Sequence, residues 1–188
     1  MASAHAAPAS QLDGDGDDDR PPGAEAYVAL GGNLGDRRAN LAAAAGALAR
    51  HPEIRGLVRS ALYETVAVAD EPQPDYLNGV VRFSTTLPAA ALLALCLDIE
   101  RELGRVRPVG RDKAPRIIDL DLLLCGDAVI DVPGLRLPHP GLLARAFVRI
   151  PLADVAAPGL RHPVTGIRLD QADADPDVRR LPSGWPNP

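Results

Sequence analysis

Within residues 117–124 of the chain, apolar and acidic side chains alternate over 118–122, and this pattern restricts the fold more than any other segment. An alternation with a period of two predicts a β-strand whose apolar side faces a core. Asp119 and Asp121 then share the opposite side, with Cα atoms about 7 Å apart. The chain is therefore expected to build a sheet that carries an acidic pair. The apolar set of this strand is Ile118, Leu120, Leu122 and Leu124.

The acidic pair indicates a metal site. Aspartate is disfavoured in strands, so two in one strand are unusual. Magnesium prefers oxygen ligands and keeps waters and substrate phosphates in its coordination shell. Asp119 and Asp121 are therefore predicted to bind magnesium, and the alternative is a half-exposed strand with two outward polar residues.

Arginines precede the acidic pair, at Arg105, Arg107 and Arg116. Residues 101–116 carry six basic side chains against two acidic ones, a local balance of +4. Arginine binds phosphate oxygens through a planar fork, often in bidentate fashion. Beside the carboxylates, these arginines predict a phosphate clamp, although each alone also fits a solvated loop. The segment indicates phosphoryl-group chemistry.

The remaining patterns predict a mixture of strands and helices. Strands are predicted at residues 26–30, 54–63, 76–85, 117–124 and 146–150, with a short pairing over 129–137. Helices are predicted from about 36 to 50 and from 88 to about 104, with loops at 64–75 and 105–115. This order favours an α+β fold in which helices pack on a mainly antiparallel sheet.

Composition sets the domain limits and excludes some functions. Residues 1–24 are rich in Ala, Pro, Gly and Asp, which predicts a disordered acidic tail. One folded domain is expected over 25–170, followed by a poorly ordered extension over 171–188. Five aspartates and one arginine in residues 1–23 account for −4 of the net charge of −5, so global charge gives no support for nucleic-acid binding.

No apolar run approaches the length of a membrane span, and the N-terminus does not resemble a signal peptide. A cytoplasmic protein is expected. Cys96 and Cys125 lack metal-ligand spacing and are predicted to be buried small hydrophobes.

Three further residues form a possible site for a flat heterocycle. The rings of Tyr76 and Phe147 would stack on such a molecule, and the amide of Asn78 would bond its edge. Core positions are the alternative for all three. Residues 31–35 contain three glycines but lack the spacing of a phosphate loop, so a tight strand-to-helix turn is predicted there.

The motifs of the chain, taken in their order along the sequence, resemble those of the 6-hydroxymethyl-7,8-dihydropterin pyrophosphokinase family, which acts in folate biosynthesis. The resemblance covers about residues 26 to 160. Its strongest segment is Asp112-Lys-Ala-Pro-Arg-Ile-Ile-Asp-Leu-Asp-Leu-Leu123. The others are Tyr27-Val-Ala-Leu-Gly-Gly-Asn-Leu-Gly-Asp36, Tyr63-Glu-Thr65, Gln73-Pro-Asp-Tyr-Leu-Asn78, Glu100 with Gly104-Arg-Val-Arg107, Leu137-Pro-His-Pro140 and Arg145-Ala-Phe-Val148.

The resemblance implies a ferredoxin-like α+β fold and transfer of the β,γ-diphosphate of ATP to the hydroxymethyl group of the pterin, which releases AMP. It implies two magnesium ions held by Asp119 and Asp121, with Arg105 and Arg116 on the phosphates. The implied ATP-binding positions are Glu100, Arg107, Leu122, His139 and Arg145. The implied pterin-binding positions are Thr65, Tyr76, Asn78 and Phe147. ATP and the pterin are the only partners implied, and a monomer is expected.

The chain departs from the family pattern in places. Residues 66–69 replace a proline- and glycine-containing run, Lys113 stands near the position of a tryptophan that covers the pterin, and Leu97 replaces a glutamine. Activity with slower loop closure is expected. The alternatives are a non-catalytic pterin- or nucleotide-binding relative and an unrelated α+β domain.

Overall fold

The fold is taken from a computed structural model that describes residues 23–67, 72–106 and 114–186. Within these ranges the chain forms eight strands and three helices. The strands are β1 (Ala24–Gly32), β2 (Ile54–Arg59), β3 (Tyr63–Thr65), β4 (Tyr76–Thr85), β5 (Asp119–Cys125), β6 (Ile130–Val132), β7 (Leu135–Leu137) and β8 (Val178–Arg180). The helices are α1 (Arg37–Ala49), α2 (Ala89–Glu102) and α3 (Ala146–Val155).

Six of these strands form one antiparallel sheet. Its order is β5-β1-β4-β3-β8, and β2 pairs with β4 beside β3. β6 and β7 form a separate hairpin. The central strand is therefore β4, β1 lies beside it, and the acidic strand β5 forms the edge of the sheet beyond β1. The predicted antiparallel α+β architecture is confirmed.

The two faces of the sheet are covered by different helices. α1 and α2 pack on one face, where alternate residues of β1 such as Val28 and Leu30 join the larger core. α3 packs on the other face, where Tyr27 and Val80 join a smaller core with Leu152. The small core covers only part of its face, which leaves room for clefts beside it.

The predicted strand over 54–63 is interrupted at Ser60. Its hydroxyl accepts a hydrogen bond from the N–H of Val80 at 2.9 Å and donates one to the carbonyl of Ala61 at 2.6 Å. The serine side chain therefore takes the place of a ladder partner for β4, and the backbone continues as the separate strand β3. Thr65, which the sequence placed in a loop, ends β3.

The strict alternation predicted for β5 fails at its carboxyl end. Leu120 and Leu122 lie in the larger core, but Leu124 lies in the smaller core on the opposite face. The pairing of β1 with β5 shifts between Tyr27 and Val28, so the strand contains a bulge. A bulge adds one residue and reverses the facing of those beyond it. Asp119 and Asp121 precede it and keep their predicted common side.

The prediction of a strand at residues 146–150 was wrong, because these residues begin α3. Val148, Pro151, Leu152 and Val155 are buried in it, which is the spacing of a helical face. Pro151 lies inside the helix, where proline is normally disfavoured. The short apolar run before a proline thus looked like a strand, and the period of the buried positions emerges only when residues 151–155 are included.

The sheet includes residues of the C-terminal extension. Val178–Arg180 pair with β3 as β8, so the sheet continues beyond residue 170. Of the predicted acidic tail, residues 1–22 lie outside the described residues, and Ala24 already belongs to β1.

Both cysteines are buried, as predicted. Burial raises the pKa of the Cys96 thiol to about 12, and the nearby charge of Glu100 adds to the effect. Among the described residues, no helix has the length and apolarity needed to cross a bilayer.

Candidate active site

The site is built around small residues of β1, between β4 and the edge strand β5. Gly31 of β1 is paired with Asn78 on one neighbour and with Asp119 on the other, and Ala29 is paired with Asp121. An ideal Cβ on Gly31 would lie 3.1 Å from Oδ1 of Asn78. Glycine and alanine therefore leave an open floor between the amide and the two carboxylates.

Asp119 is held by both arginines that the sequence singled out. Its Oδ1 accepts a hydrogen bond from Nη1 of Arg105, and its Oδ2 accepts one from Nη1 of Arg116 at 2.5 Å. Burial opposes ionisation of Asp119, but the hydrogen bonds and charges of the two guanidiniums prevail and lower the pKa of this carboxyl. Asp119 is therefore a stable carboxylate.

Asp121 has a different electrostatic environment, two residues along the same strand. Burial raises the pKa of Asp121, and the negative charge of Asp119 raises it further. Arg145 forms an ion pair with it, with Nη1 3.7 Å from Oδ2. The pair thus combines one well-compensated carboxylate with one poorly compensated carboxylate.

The carboxylate pair fits magnesium by the chemistry of its donors. Both residues offer oxygen ligands on one side of a strand, and Asp121 has negative charge that its protein neighbours leave poorly balanced. Within residues 23–67, 72–106 and 114–186, no group of three or more His, Cys, Asp and Glu is placed to hold a metal ion. Further ligands would then come from water and substrate phosphates, as is usual for magnesium.

Arg116 is positioned by the turn after β1. The N–H groups of Asn33 and Leu34 donate to the carbonyl of Arg116 at 2.9 and 3.2 Å. Gly32 allows this contact, because a Cβ there would collide with the carbonyl of Ile117. These two N–H groups therefore fix the backbone at Arg116.

Asn33 is a site residue that the sequence reasoning missed. It is only 2% exposed, and its Oδ1 accepts from the N–H of Arg116 at 2.8 Å. Its Nδ2 donates to the carbonyl of Pro74 at 3.1 Å and to Oε1 of Gln73 at 3.3 Å. Asn33 therefore links the segment before Tyr76 to the arginine side of the site. Its place after two glycines in the predicted turn gave no sign of these contacts, which join segments remote in sequence.

Glu100 lies beneath the site and lines neither of the two clefts described below. It is 2% exposed on α2, and its Oε1 accepts from the N–H of Leu120 at 2.8 Å and from Nη1 of Arg105 at 2.7 Å. Leu120 separates the two aspartates. The structure thus places Glu100 as a support for β5 and Arg105, whereas the sequence assigned it to ATP.

Two clefts adjoin the acidic pair. The cleft on the α3 face has a volume of about 580 Å³ and is called the second cleft; the first cleft, beside α2, is described after it. The predicted heterocycle residues Tyr76, Asn78 and Phe147 all line it, together with Thr65. The guanidinium of Arg116 lies 5.7 Å from the ring centroid of Tyr76, and that of Arg145 lies 5.9 Å from that of Phe147. Each ring therefore makes a cation–π contact with an arginine that is ion-paired with Asp119 or Asp121.

A separate cleft of about 720 Å³, the first cleft, lies between α2 and the β6–β7 hairpin. Leu122 and His139 line it, as do Leu93, Leu97 and Leu135. Burial lowers the pKa of His139, although the charge of Asp121 opposes this. Its Nδ1 accepts from the N–H of Gly141 at 3.0 Å, so the ring proton of the neutral imidazole lies on Nε2.

The two clefts meet at the acidic pair. Asp121 lines both of them, while Asp119, Arg116 and Arg145 line the second cleft. Arg145, for which the resemblance implies ATP binding, thus lines the second cleft, together with the residues predicted to bind a heterocycle. Arg107 and Lys113 lie outside the described residues, as do residues 68–71.

Comparisons with known proteins show which family the chain belongs to. Residues 27–157 match the family described as 7,8-dihydro-6-hydroxymethylpterin-pyrophosphokinase (HPPK). The 2-amino-4-hydroxy-6-hydroxymethyldihydropteridine pyrophosphokinase of Pseudomonas aeruginosa is 44% identical over 137 residues, which are 73% of this chain and 83% of that protein. The enzyme of the same name from Methylorubrum extorquens is 45% identical over 131 residues, 70% of this chain and 82% of that protein.

A solved structure of the HPPK-DHPS protein of Plasmodium falciparum is similar in fold. The TM-score is 0.61 at 14% sequence identity, and the alignment covers 81% of this chain and 45% of that chain. This likeness concerns the fold alone and agrees with the expected ferredoxin-like α+β architecture.

The acidic pair and the adjoining arginines suit the chemistry of an enzyme that transfers phosphoryl groups. Since the family match spans well over half of the chain, the chain belongs to the 7,8-dihydro-6-hydroxymethylpterin-pyrophosphokinase family. It is an ATP-dependent pyrophosphokinase, and it transfers the pyrophosphoryl group of ATP to hydroxymethyldihydropterin in folate synthesis.

Proposed function

We propose that the first cleft binds ATP, the second cleft binds the pterin, and the pyrophosphoryl group passes between them at Asp121. The observation that supports this most is that Asp121 lines both clefts. In the reaction, the hydroxymethyl oxygen forms a bond to the β-phosphorus of ATP. The bond from that phosphorus to the oxygen of the α-phosphate breaks, and AMP leaves. The two reacting groups must therefore meet at a junction of this kind.

We assign Asp119 and Asp121 as the ligands of two magnesium ions. When bound, magnesium neutralises phosphate charge and favours deprotonation of the attacking hydroxyl. The poorly balanced charge of Asp121 supports this assignment. Asp119 contributes to orientation as well, because its two oxygens hold the guanidiniums of Arg105 and Arg116.

The arginines are proposed to stabilise the pyrophosphoryl group during its transfer. Arg116 and Arg145 line the second cleft next to the acidic pair, so their charges lie where the pyrophosphoryl group must arrive. Transfer of phosphoryl groups depends chiefly on positioning and on neutralisation of charge. Arg105 is nearly buried between Glu100 and Asp119 and is proposed to hold Asp119 in place.

The pterin is proposed to lie between Tyr76 and Phe147 in the second cleft. Asn78 is 6% exposed, and its Nδ2 donates to Oγ1 of Thr65 at 3.0 Å. This bond fixes the amide and leaves Oδ1 for the donor-rich edge of a pterin. We further propose a monomer, because residues of a single chain line both clefts, and a cytoplasmic location, as expected from the sequence.

The assignment of the clefts predicts that the binding of ATP and the binding of the pterin can be weakened separately. Phe147→Ala removes a partly exposed stacking ring, and stacking contributes about 1–3 kcal/mol per base. We expect the KM for pterin to rise about tenfold, with the KM for ATP within about twofold. Leu97→Asp places a negative charge in the first cleft and should raise the KM for ATP alone.

Initial rates with each substrate varied at saturation of the other measure both constants. Phe147→Tyr retains the ring and serves as the matched control. A rise in the KM for ATP in Phe147→Ala, or for pterin in Leu97→Asp, would reverse the assignment of the clefts.

A further inference from the structure

The C-terminal segment, residues 175–186, is attached to the edge of the sheet by its backbone. Tyr63, Glu64 and Thr65 of β3 are paired with Arg180, Arg179 and Val178. The N–H of Leu181 donates to the carbonyl of Leu62 at 2.9 Å. This segment lies beyond the region that matches the family, which ends at residue 157.

Trp185 anchors the end of the segment. Its Nε1 donates to the carbonyl of Ser60 at 2.7 Å, and the guanidinium of Arg59 lies 5.5 Å from its ring centroid. The ring fills the space left by Gly79, since an ideal Cβ there would lie 2.7 Å from Cζ2 of the indole. Gly79 directly follows Asn78 on β4, so the ring packs behind the pterin-facing residue.

Side chains of α1 strengthen the attachment. The carboxylate of Glu64 on β3 pairs with Arg37 of α1 at 2.9 Å and with Arg179 of β8. Arg38 of α1 donates to the carbonyls of Ser183 at 2.9 Å and Gly184 at 2.7 Å. The short strand β3 is therefore held between β4 and a segment that α1 fixes in place.

This attachment reaches the second cleft through Thr65. Thr65 is paired with Val178, and its hydroxyl accepts the hydrogen bond that orients the amide of Asn78. Asp175, Asp177 and Val178 line the same cleft as Thr65 and Asn78. The C-terminal segment thus forms part of the wall and also supports the strand that carries Thr65.

We propose that the C-terminal segment is a positioning element of the pterin site, which sets the orientation of Asn78 through β3 and Thr65. The proposal rests on the assignment of the second cleft to the pterin. It makes pterin binding, but not ATP binding, depend on residues near the end of the chain.

Variants of the full chain at Trp185 test this proposal. Trp185→Ala removes both the anchor and the ring behind Gly79, while Trp185→Phe keeps a ring there. Calorimetry with 6-hydroxymethylpterin, in the presence of magnesium and a non-hydrolysable ATP analogue, gives the pterin affinity. Titration with the analogue alone gives the nucleotide affinity. We expect Trp185→Ala to weaken pterin binding about tenfold, a change of about 1.4 kcal/mol, with nucleotide binding unchanged and Trp185→Phe close to the unmodified chain.

Thr65 provides a second test that leaves the C-terminal segment intact. Thr65→Val keeps the shape of the side chain but removes the acceptor for Asn78, and Thr65→Ser restores that acceptor. Weaker pterin binding in Thr65→Val, with recovery in Thr65→Ser, is expected even if Trp185→Ala does not fold. Unchanged pterin affinity in Thr65→Val, or in a folded Trp185→Ala, would overturn the proposal. Failure of the unmodified chain to bind pterin would instead contradict the assignment of the cleft.

Discussion

Asp121→Asn is expected to abolish turnover without weakening the fold. Loss of a magnesium ligand removes several kcal/mol of transition-state stabilisation, which corresponds to a rate lower by about a thousandfold. The fold should not suffer, because burial and the charge of Asp119 make ionised Asp121 unfavourable in the folded protein. Release of AMP measures the rate, and thermal unfolding without magnesium measures the stability.

The neighbouring carboxylate should behave differently in the same assays. Asp119→Asn is also expected to abolish turnover, but it removes the charge that accepts from Arg105 and Arg116. Losing hydrogen bonds to charged groups should destabilise the fold by about 2 kcal/mol. Asp127→Asn, in the exposed turn after β5, is the matched control. Substantial turnover in Asp121→Asn would contradict the metal assignment, and equal stability of the two variants would contradict the electrostatic contrast.

Glu100→Ala is expected to cause the largest loss of stability. The carboxylate is buried between Arg105 and the N–H of Leu120, and removing one partner of a buried pair costs about 3–5 kcal/mol. For a protein of this size the Tm should fall by about 10 °C. Activity should fall too, since Leu120 lies between the two aspartates. Thermal and urea unfolding, with AMP release, measure these effects.

Two variants on the same helix sharpen the test of Glu100. Glu100→Gln keeps an acceptor for Leu120 but loses the charge opposite Arg105, so an intermediate loss of about 2 kcal/mol is expected. Glu102→Ala changes an exposed residue two positions along, and its effect should stay within about 0.5 kcal/mol. A Glu100→Ala variant as stable as Glu102→Ala would show that the buried carboxylate does not support β5.

The local sequence pattern was sufficient to predict that the two aspartates lie on the same side of a strand. Alternation placed Asp119 and Asp121 on one side of a strand, and the structure agrees up to the bulge. The bulge itself depends on how β5 pairs with β1, which lies more than 90 residues earlier and leaves no mark on the local period. Local pattern therefore predicted the site strand but not where its facing reverses.

The other differences between the predicted and the observed structure also arise from contacts between residues that are distant in sequence. α3 has a proline in its interior, and its helical face is recognisable only against the smaller core. β8 is short and polar, so its place in the sheet depends on β3, Trp185 and α1. Asn33 and Glu100 support the site through hydrogen bonds to segments remote in sequence, which composition and spacing do not reveal.

The fate of the β-phosphorus of ATP distinguishes pyrophosphoryl transfer from transfer of the terminal phosphate alone. The enzyme is supplied with magnesium, hydroxymethyldihydropterin and ATP labelled at the β-phosphorus, and the products are separated by chromatography, with Asp121→Asn as the background control. We expect AMP to form in equal amount to a pterin diphosphate that carries the label. ADP as the nucleotide product, or label that remains with the nucleotide, would contradict pyrophosphoryl transfer at the junction of the two clefts.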